Sequence, residues 1–181
     1  MKFNKHHLEG VHAFLAPSKY AWVTYDEEKL ESVYANWRLS QLGTELHELA
    51  AKLINLRVKL PKTNKTLNMY VNDGIGFRME TEVCLFYSYN CFGTADTISF
   101  HNNFLRIHDL KNGKTPASIQ QLRIYAALFC LEYGYNPRDI DMELRIYQSN
   151  EVFIENPDPE DILYIMDKIV LSDKRINEIK E

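Results

Sequence analysis

Two acidic residues and a lysine that could act together on a phosphate group lie within one short segment. Asp96 follows Gly93 by three positions, and Asp109 lies two positions before Lys111. Two carboxylates can hold a hard divalent cation, and a lysine beside them can orient a water molecule or stabilise negative charge. This combination is typical of sites that cleave phosphodiesters with the help of a metal ion.

Three further side chains could complete such a site. Gln121 and Tyr125 are four positions apart, so they share one face of a predicted helix. Gln121 could orient the lysine or a phosphate, and Tyr125 could hydrogen-bond a phosphate or stack on a base. His47 lies on another predicted helix, and beside two carboxylates its imidazole would extend metal preference from magnesium toward manganese. Taken alone, each of the three is more simply interpreted as an ordinary helix residue.

The elements that must position these residues follow from the periodicity of the apolar side chains. We predict a helix opened by a Thr24–Glu27 capping box, helices over 41–57, 67–75 and 116–133 and from 158, and strands over 82–87, 91–100, 104–111 and 142–148. The polar end of the last helix, 172–181, is expected to fray.

The strands predict how the acidic residues meet. Residues two apart in a strand point to the same face, so Asp109 and Lys111 should project together. Antiparallel pairing about the turn at 101–103 would bring Asp96 beside Asp109. An Asp-x-Lys pattern alone is commonly a solvated strand edge. Because two adjacent carboxylates repel unless a cation lies between them, the pair with Asp96 favours a site.

Length and composition predict one α/β domain. The chain has 181 residues, of which 45% are hydrophobic and 25% charged, and it contains no internal repeat or interdomain linker. The net charge of −4 gives no overall basic field, although a local patch suffices to contact nucleic acid. The three cysteines form no CxxC pair, and no apolar signal or membrane-length segment is present. These features favour a reducing cytoplasm and no membrane.

Clusters of basic residues are candidate contacts for a DNA backbone, although a run of charge is more often a solvated face. The candidates are Lys52, Arg57, Lys59, Lys62, Lys65, Lys114 and Arg123, together with Arg106 and Lys111.

Five motifs, taken in order, resemble the PD-(D/E)xK nuclease superfamily. They are Gly43 to His47, Glu82, Gly93 to Asp96, Asp109 to Lys111, and Gln121 to Tyr125. Their order and spacing are most similar to the RecB-like branch, which includes the CRISPR-adaptation nucleases and many phage exonucleases. The resemblance covers about 43–148, and the lead-in at 12–18 also looks like that of phage members.

The resemblance implies a fold and a set of roles. The fold would be a single domain over 1–181 with a restriction-endonuclease-like core. Its central mixed β-sheet would be a three-strand meander plus a further strand after a crossover helix, flanked by helices. His47, Asp96, Asp109 and the Leu110 backbone carbonyl would bind Mg²⁺ or Mn²⁺, Lys111 would be catalytic, Gln121 and Tyr125 would complete the site, and Glu82 would be accessory. Iron–sulfur members need four cysteines, so no cluster is expected.

The implied function is a divalent-metal-dependent DNA nuclease, an exonuclease acting on DNA ends in recombination, repair or phage DNA processing. It would act in the cytoplasm of a bacterial cell or phage-infected host, with a single-strand annealing protein, a helicase or further copies of itself as partners. Two alternatives stay open. One is a non-catalytic DNA-binding or host-interaction protein on a nuclease scaffold, and the other is a metal-dependent hydrolase of another phosphate ester.

Overall fold

Residues 13–180 are described by a computed structural model that contains helices and one mixed sheet. The α-helices are α1 (Glu27–Asn55), α2 (Thr66–Gly76), α3 (Gln120–Tyr133) and α4 (Pro159–Lys180), and the strands are β1 (Glu80–Ser88), β2 (Cys91–His101), β3 (Phe104–Leu110), β4 (Asp141–Gln148) and β5 (Glu151–Glu155). Short 3₁₀ helices span Pro17–Thr24 and Pro137–Asp139. The first residue of the predicted 12–18 lead-in lies outside the described residues.

The chain divides into two compact units, residues 1–42 and 43–181. In the described part of the first unit, Phe14, Tyr34 and Trp37 pack their rings together at centroid distances of 5.0 to 5.6 Å. The expectation of one domain over 1–181 stays a prediction. All residues considered as a candidate site belong to the second unit.

Two helix predictions at the start of the chain are wrong in detail. The separate helices expected near residue 24 and over 41–57 form the single helix α1, because no proline interrupts the segment between them. The predicted capping box is also wrong, since the Asp26 carboxylate accepts the hydrogen bond from the Lys29 amide at 2.8 Å. Thr24 instead donates its hydroxyl hydrogen to the Ala21 carbonyl within the 3₁₀ helix. The helix therefore begins one residue after an aspartate cap.

The sheet confirms the predicted mixed topology and adds one strand. Its order is β1-β2-β3-β4-β5, with β3 and β4 parallel and every other pair antiparallel. The strands β1 to β3 form the expected meander, and α3 is the crossover to β4. The unpredicted β5 returns along β4 after a tight turn in which Ser149 and Asn150 both have positive φ.

Helices cover both faces of the sheet. On one face α3 and α4 pack on an apolar cluster whose fully buried members are Leu85, Ala95, Leu105, Ile107, Leu122, Ala126, Ala127, Leu144 and Ile162. On the other, Ala50 and Ile54 of α1 and Tyr70 and Val71 of α2 pack against Leu110 and Tyr147. No helix among residues 13–180 is long and apolar enough to cross a membrane.

The expected fraying of the last helix is wrong for the described residues. Helix α4 continues to Lys180 because polar side chains of the β1–β2 turn hold its second half. Ser88 donates its hydroxyl hydrogen to Asp173 at 2.5 Å, and the Asn90 amide donates to Asp173 at 2.8 Å and Asn177 at 2.9 Å. A long-range contact thus overrides the polar composition of the tail.

Candidate active site

The candidate site lies where strands β2 and β3 diverge. Their ladder ends at the pair Thr97 and His108, so Asp96 and Asp109 are the next residue on each strand. Beyond this fork, β3 continues beside β4, whereas β2 continues beside β1. The Leu110 amide therefore donates to the Asp96 carboxylate at 3.1 Å rather than to the β2 backbone. The divergence brings the two predicted carboxylates to one end of the sheet.

His47 of α1 reaches this fork across a large sequence separation. Its Nε2 atom lies 2.5 Å from the Leu110 carbonyl oxygen and 3.4 Å from Asp96 Oδ2. Both neighbours are hydrogen-bond acceptors, so without a metal the tautomer protonated at Nε2 could donate to the carbonyl. The side chain is 37% exposed, so the position remains open to solvent.

His47 Nε2 lies close to two other predicted ligand atoms, Asp96 Oδ2 and the Leu110 carbonyl oxygen. Adjacent ligands in an octahedron with metal–ligand distances of about 2.1 Å are about 3.0 Å apart. The observed separations of Nε2 of His47 from the Leu110 carbonyl and from Asp96 Oδ2, 2.5 and 3.4 Å, bracket that value. Imidazole, carboxylate and carbonyl groups suit manganese and magnesium. The donor types of these residues are therefore ones that could hold a divalent cation.

The fourth predicted ligand, Asp109, is turned toward Lys111. Its Oδ2 atom lies 3.0 Å from the lysine Nζ, although it makes no hydrogen bond of good geometry. Within residues 13–180, accordingly, no three His, Cys, Asp or Glu side chains form a ready-made metal group. The predicted projection of Asp109 and Lys111 toward one place is confirmed.

Asp109 is an ionisable group whose charged form is disfavoured by its surroundings. Its side chain is almost fully buried, and this burial raises the pKa of the carboxyl group to about 6. The negative charge of Asp96 raises that pKa as well, whereas Lys111 and His47 act to lower it. A carboxylate held this way gains from any additional cation at the fork.

Lys111 is the first member of a chain of hydrogen bonds that returns to β2. Its Nζ donates to Gln121 Oε1 at 3.2 Å, and Gln121 Nε2 donates to the Tyr125 hydroxyl at 3.4 Å. The Tyr125 hydroxyl donates in turn to the Thr94 carbonyl at 2.7 Å. Thr94 lies two residues before Asp96, so the chain links both sides of the fork. Gln121 and Tyr125 thus lie together, as predicted from their spacing.

Two glycines of the sequence motifs are explained by close packing. A Cβ atom at Gly93 would lie 3.0 Å from the Tyr125 ring, which leans over β2 to reach Thr94. A Cβ atom at Gly43 would lie 3.0 Å from the Asn112 side chain, just after Lys111. Both glycines therefore let a neighbouring element approach the site closely.

Glu82 lies on β1 across from Asp96, since the flanking pairs are Thr81 with Thr97 and Val83 with Ala95. Its side chain is exposed, and its φ of 53° is unusual for a residue within a strand.

The sequence interpretation missed Tyr70 of α2, which is buried near the carboxylates of Asp96, Asp109 and Glu82. Burial raises the pKa of the Tyr70 hydroxyl, and so do the charges of Asp96, Asp109 and Glu82. Only its position in an apolar helix pattern was visible in the sequence.

Of the basic residues proposed to contact DNA, some have exposed side chains and others are already held by carboxylates. Six are exposed: Lys52, Arg57, Lys59, Lys62, Lys65 and Lys114. Arg123 is instead engaged by Glu155, with contacts of 2.7 and 3.0 Å. Arg106 lies 3.3 Å from Glu143 and stacks on the ring of Phe104. A phosphate would have to compete with these contacts at either arginine.

Comparisons with known proteins assign no family. No protein-family model matches the chain, and no curated protein matches it. A solved structure, that of SSO0001, aligns over 83% of this chain and 67% of its own, at 16% identity and a TM-score of 0.37.

Proposed function

We propose that this chain is a divalent-metal-dependent deoxyribonuclease with a restriction-endonuclease-like core of the RecB-like type. One observation carries the proposal: His47 Nε2 lies within 3.4 Å of both Asp96 Oδ2 and the Leu110 carbonyl oxygen, next to the buried Asp109 and its partner Lys111. The α/β fold with a mixed sheet and a crossover helix is compatible with it. The five sequence motifs supply the nuclease interpretation.

His47, Asp96, Asp109 and the Leu110 carbonyl would hold Mg²⁺ or Mn²⁺. When bound, such an ion lowers the pKa of a water molecule and polarises the scissile phosphate. The protein itself contributes the fixed carbonyl at the end of β3, because the Lys111 amide donates to the Tyr147 carbonyl at 2.9 Å. That bond holds the backbone after the ligand atom, and the hydrogen bond from the Leu110 amide to Asp96 at 3.1 Å holds it before.

Lys111 is the residue proposed to act on the reacting groups. Its ammonium lies 3.0 Å from Asp109 Oδ2 and donates a hydrogen bond to Gln121 Oε1 at 3.2 Å, so an ion pair and a hydrogen bond hold it in place. From that position it would orient the attacking water or stabilise negative charge developing on the phosphoryl oxygens. Gln121, held by Tyr125, limits the rotation of the lysine side chain.

DNA is the proposed substrate because exposed basic residues continue from the last turn of α1 into the segment after it without an intervening acidic residue. From 52 to 65 the chain carries five basic residues and no aspartate or glutamate. Such a segment can contact a phosphate backbone although the net charge is −4. We further propose action on DNA ends in the cytoplasm of a bacterial cell or phage-infected host, alone or beside an annealing protein or helicase.

The test is digestion of end-labelled linear DNA and of closed circular DNA with Mg²⁺ or Mn²⁺. We expect the linear substrate to be degraded, the circle to persist, and Lys111→Ala and Asp109→Ala to lose at least about a hundredfold in rate. Lys174→Ala and Asp141→Ala, which change exposed residues outside the fork, are the matched controls. Full activity in Lys111→Ala would contradict the proposal, and DNA binding without turnover would favour the non-catalytic alternative.

A further inference from the structure

The tip of the β1–β2 hairpin exposes three aromatic side chains, here called the aromatic tip: Phe86, Tyr89 and Phe92. Phe86 lies opposite Phe92 in the ladder, with 6.1 Å between ring centroids. Tyr89 in the turn packs edge-on against Phe86 at 5.5 Å. Phe92 is 58% exposed and Tyr89 is 91% exposed. An exposed aromatic group of this kind marks a binding surface more often than a lone apolar residue does.

The aromatic tip is continuous with the candidate active site. Phe92 and Thr94 are exposed alternate residues of β2, and Asp96, whose side chain is 27% exposed, is the next residue on the same face. On β1, Cys84 pairs with Thr94 and is exposed as well. At about 3.3 Å per residue, Phe92 lies about 13 Å from Asp96 along the strand. That distance corresponds to roughly four stacked nucleotides at about 3.4 Å each.

The charges around the aromatic tip indicate which part of a nucleic acid it would contact. From Glu80 to His101 the hairpin contains no lysine or arginine. The Glu132 carboxylate accepts a hydrogen bond from the Phe86 amide at 2.7 Å, which adds negative charge at the edge of β1. Phosphates are therefore disfavoured here, whereas flat, exposed rings can stack on bases.

We propose that the aromatic tip is a stacking platform for the bases of an unpaired DNA strand whose backbone continues to the Asp96–Asp109 fork. The proposal rests on the proposed function for its substrate and adds single-strand preference at the end being processed. A duplex hides the faces of its bases in the stack, so only unpaired nucleotides can use these rings.

The first test measures the affinity of the full chain for a fluorescent single-stranded 12-mer in EDTA, where no cleavage occurs. We expect Phe92→Ala and Tyr89→Ala to weaken binding by about five- to a hundredfold each. Tyr89 is 91% exposed, so within the hairpin its replacement removes little beyond the edge-on contact with Phe86. Tyr164→Ala, which removes a tyrosine that is 62% exposed on α4, should bind like the wild type. Unchanged affinity in both hairpin variants would overturn the proposal.

Two further binding experiments separate stacking on bases from electrostatic attraction to phosphates. An abasic 12-mer should bind the wild type and Phe92→Ala equally, because it offers no base to stack. The fold-change caused by Phe92→Ala should stay constant between 50 and 200 mM salt, since the hairpin contributes no cation. An equal loss with the abasic strand would refute stacking. Concentration-dependent self-association abolished by Phe92→Ala would assign the surface to a second copy of the chain instead.

Cys84 gives a second measurement that needs no mutation. Because it lies opposite Thr94, between the aromatic tip and the fork, a bound strand should protect it from alkylation. Saturating single-stranded 12-mer should slow modification of the Cys84 peptide at least about tenfold. An unchanged rate would contradict the proposed path.

The outcomes also separate this inference from the nuclease proposal. Stacking-dependent binding without cleavage in Mn²⁺ would leave the platform standing and remove the nuclease function. Cleavage that depends on Lys111, with wild-type binding in both hairpin variants, would leave the nuclease standing and remove the platform.

Discussion

His47 Nε2 lies 3.4 Å from Asp96 Oδ2, although the two residues belong to a helix and a strand far apart in the chain. With the Leu110 carbonyl, they form three corners of a possible coordination shell at the fork between β2 and β3. A substitution of His47 alone therefore measures what its imidazole contributes to metal binding.

Replacing His47 should weaken manganese binding. We expect His47→Ala to lower Mn²⁺ affinity by about tenfold or more, because one of four ligands is lost. Magnesium should be affected less, since it prefers oxygen ligands. Isothermal titration calorimetry measures both affinities. His101→Ala, which changes an exposed histidine at the end of β2, is the control, and an unchanged manganese affinity in His47→Ala would contradict the assignment.

Asp109 should make the stability of the metal-free protein depend on pH. Its folded pKa of about 6 is raised above the ordinary value of 3.8, so its stability contribution is complete below that ordinary value. That contribution is lost as pH rises through about 6. The loss corresponds to about 3 kcal/mol, at 1.36 kcal/mol per pKa unit.

Asp109→Asn should therefore become more stable than the wild type as pH rises from about 4 to about 7 in EDTA. Urea unfolding at several pH values measures the difference, which should level off above pH 7. Added Mn²⁺ should reverse it, because only the wild type retains the complete set of ligands. A stability difference that is the same at every pH would show that Asp109 does not titrate as described.

Gly93 should be sensitive to a single methyl group. Gly93→Ala places a Cβ 3.0 Å from the Tyr125 ring, so the ring must move away from the Thr94 carbonyl. We expect a cost of about 1–3 kcal/mol in unfolding free energy. Gly113→Ala, where no atom lies within 4 Å of the added Cβ, is the matched control for packing.

The activity of the same variant tests what Tyr125 does. Gly93→Ala and Tyr125→Phe both disturb the bond to Thr94, so their effects on cleavage rate should not add in the double variant. Additive losses would show that the glycine acts by another route.

Gln148 should hold the loop that follows Lys111. Its Nε2 donates to the Gly113 carbonyl at 2.6 Å and the Thr115 carbonyl at 2.9 Å, and its Oε1 accepts from the Ala117 amide at 3.0 Å. Gln148→Ala should therefore cost about 1–3 kcal/mol and expose the Ala117 amide. Hydrogen exchange at that amide is the measurement, with Gln120→Ala as control. Unchanged protection would contradict a positioning role.

The local part of the site could be predicted from the sequence. The period of two placed Asp109 and Lys111 together, and the turn at 101–103 set Asp96 and Asp109 on adjacent strands. A helical spacing of four placed Gln121 beside Tyr125. Each of these relationships depends on backbone geometry over a few residues, which sequence patterns report well.

Relationships between distant elements could not be predicted in this way. The engagement of Arg123 by Glu155 and the anchoring of α4 through Asp173 depend on tertiary packing. Strand β5 was missed because it is a short, mostly exposed edge strand with little apolar alternation. Its one local signal was the Ser149–Asn150 pair, which suits a turn with positive φ. The contact of His47 with the fork was expected from the resemblance, not from its helical spacing.

The location of manganese in crystals soaked with Mn²⁺ tests the central claim most directly. Anomalous diffraction identifies the ion independently of activity. The account predicts a peak at the fork within about 2.2 Å of His47 Nε2, the Asp96 and Asp109 carboxylates and the Leu110 carbonyl. No peak at that position under saturating Mn²⁺, or a peak bound only by other residues, would contradict it.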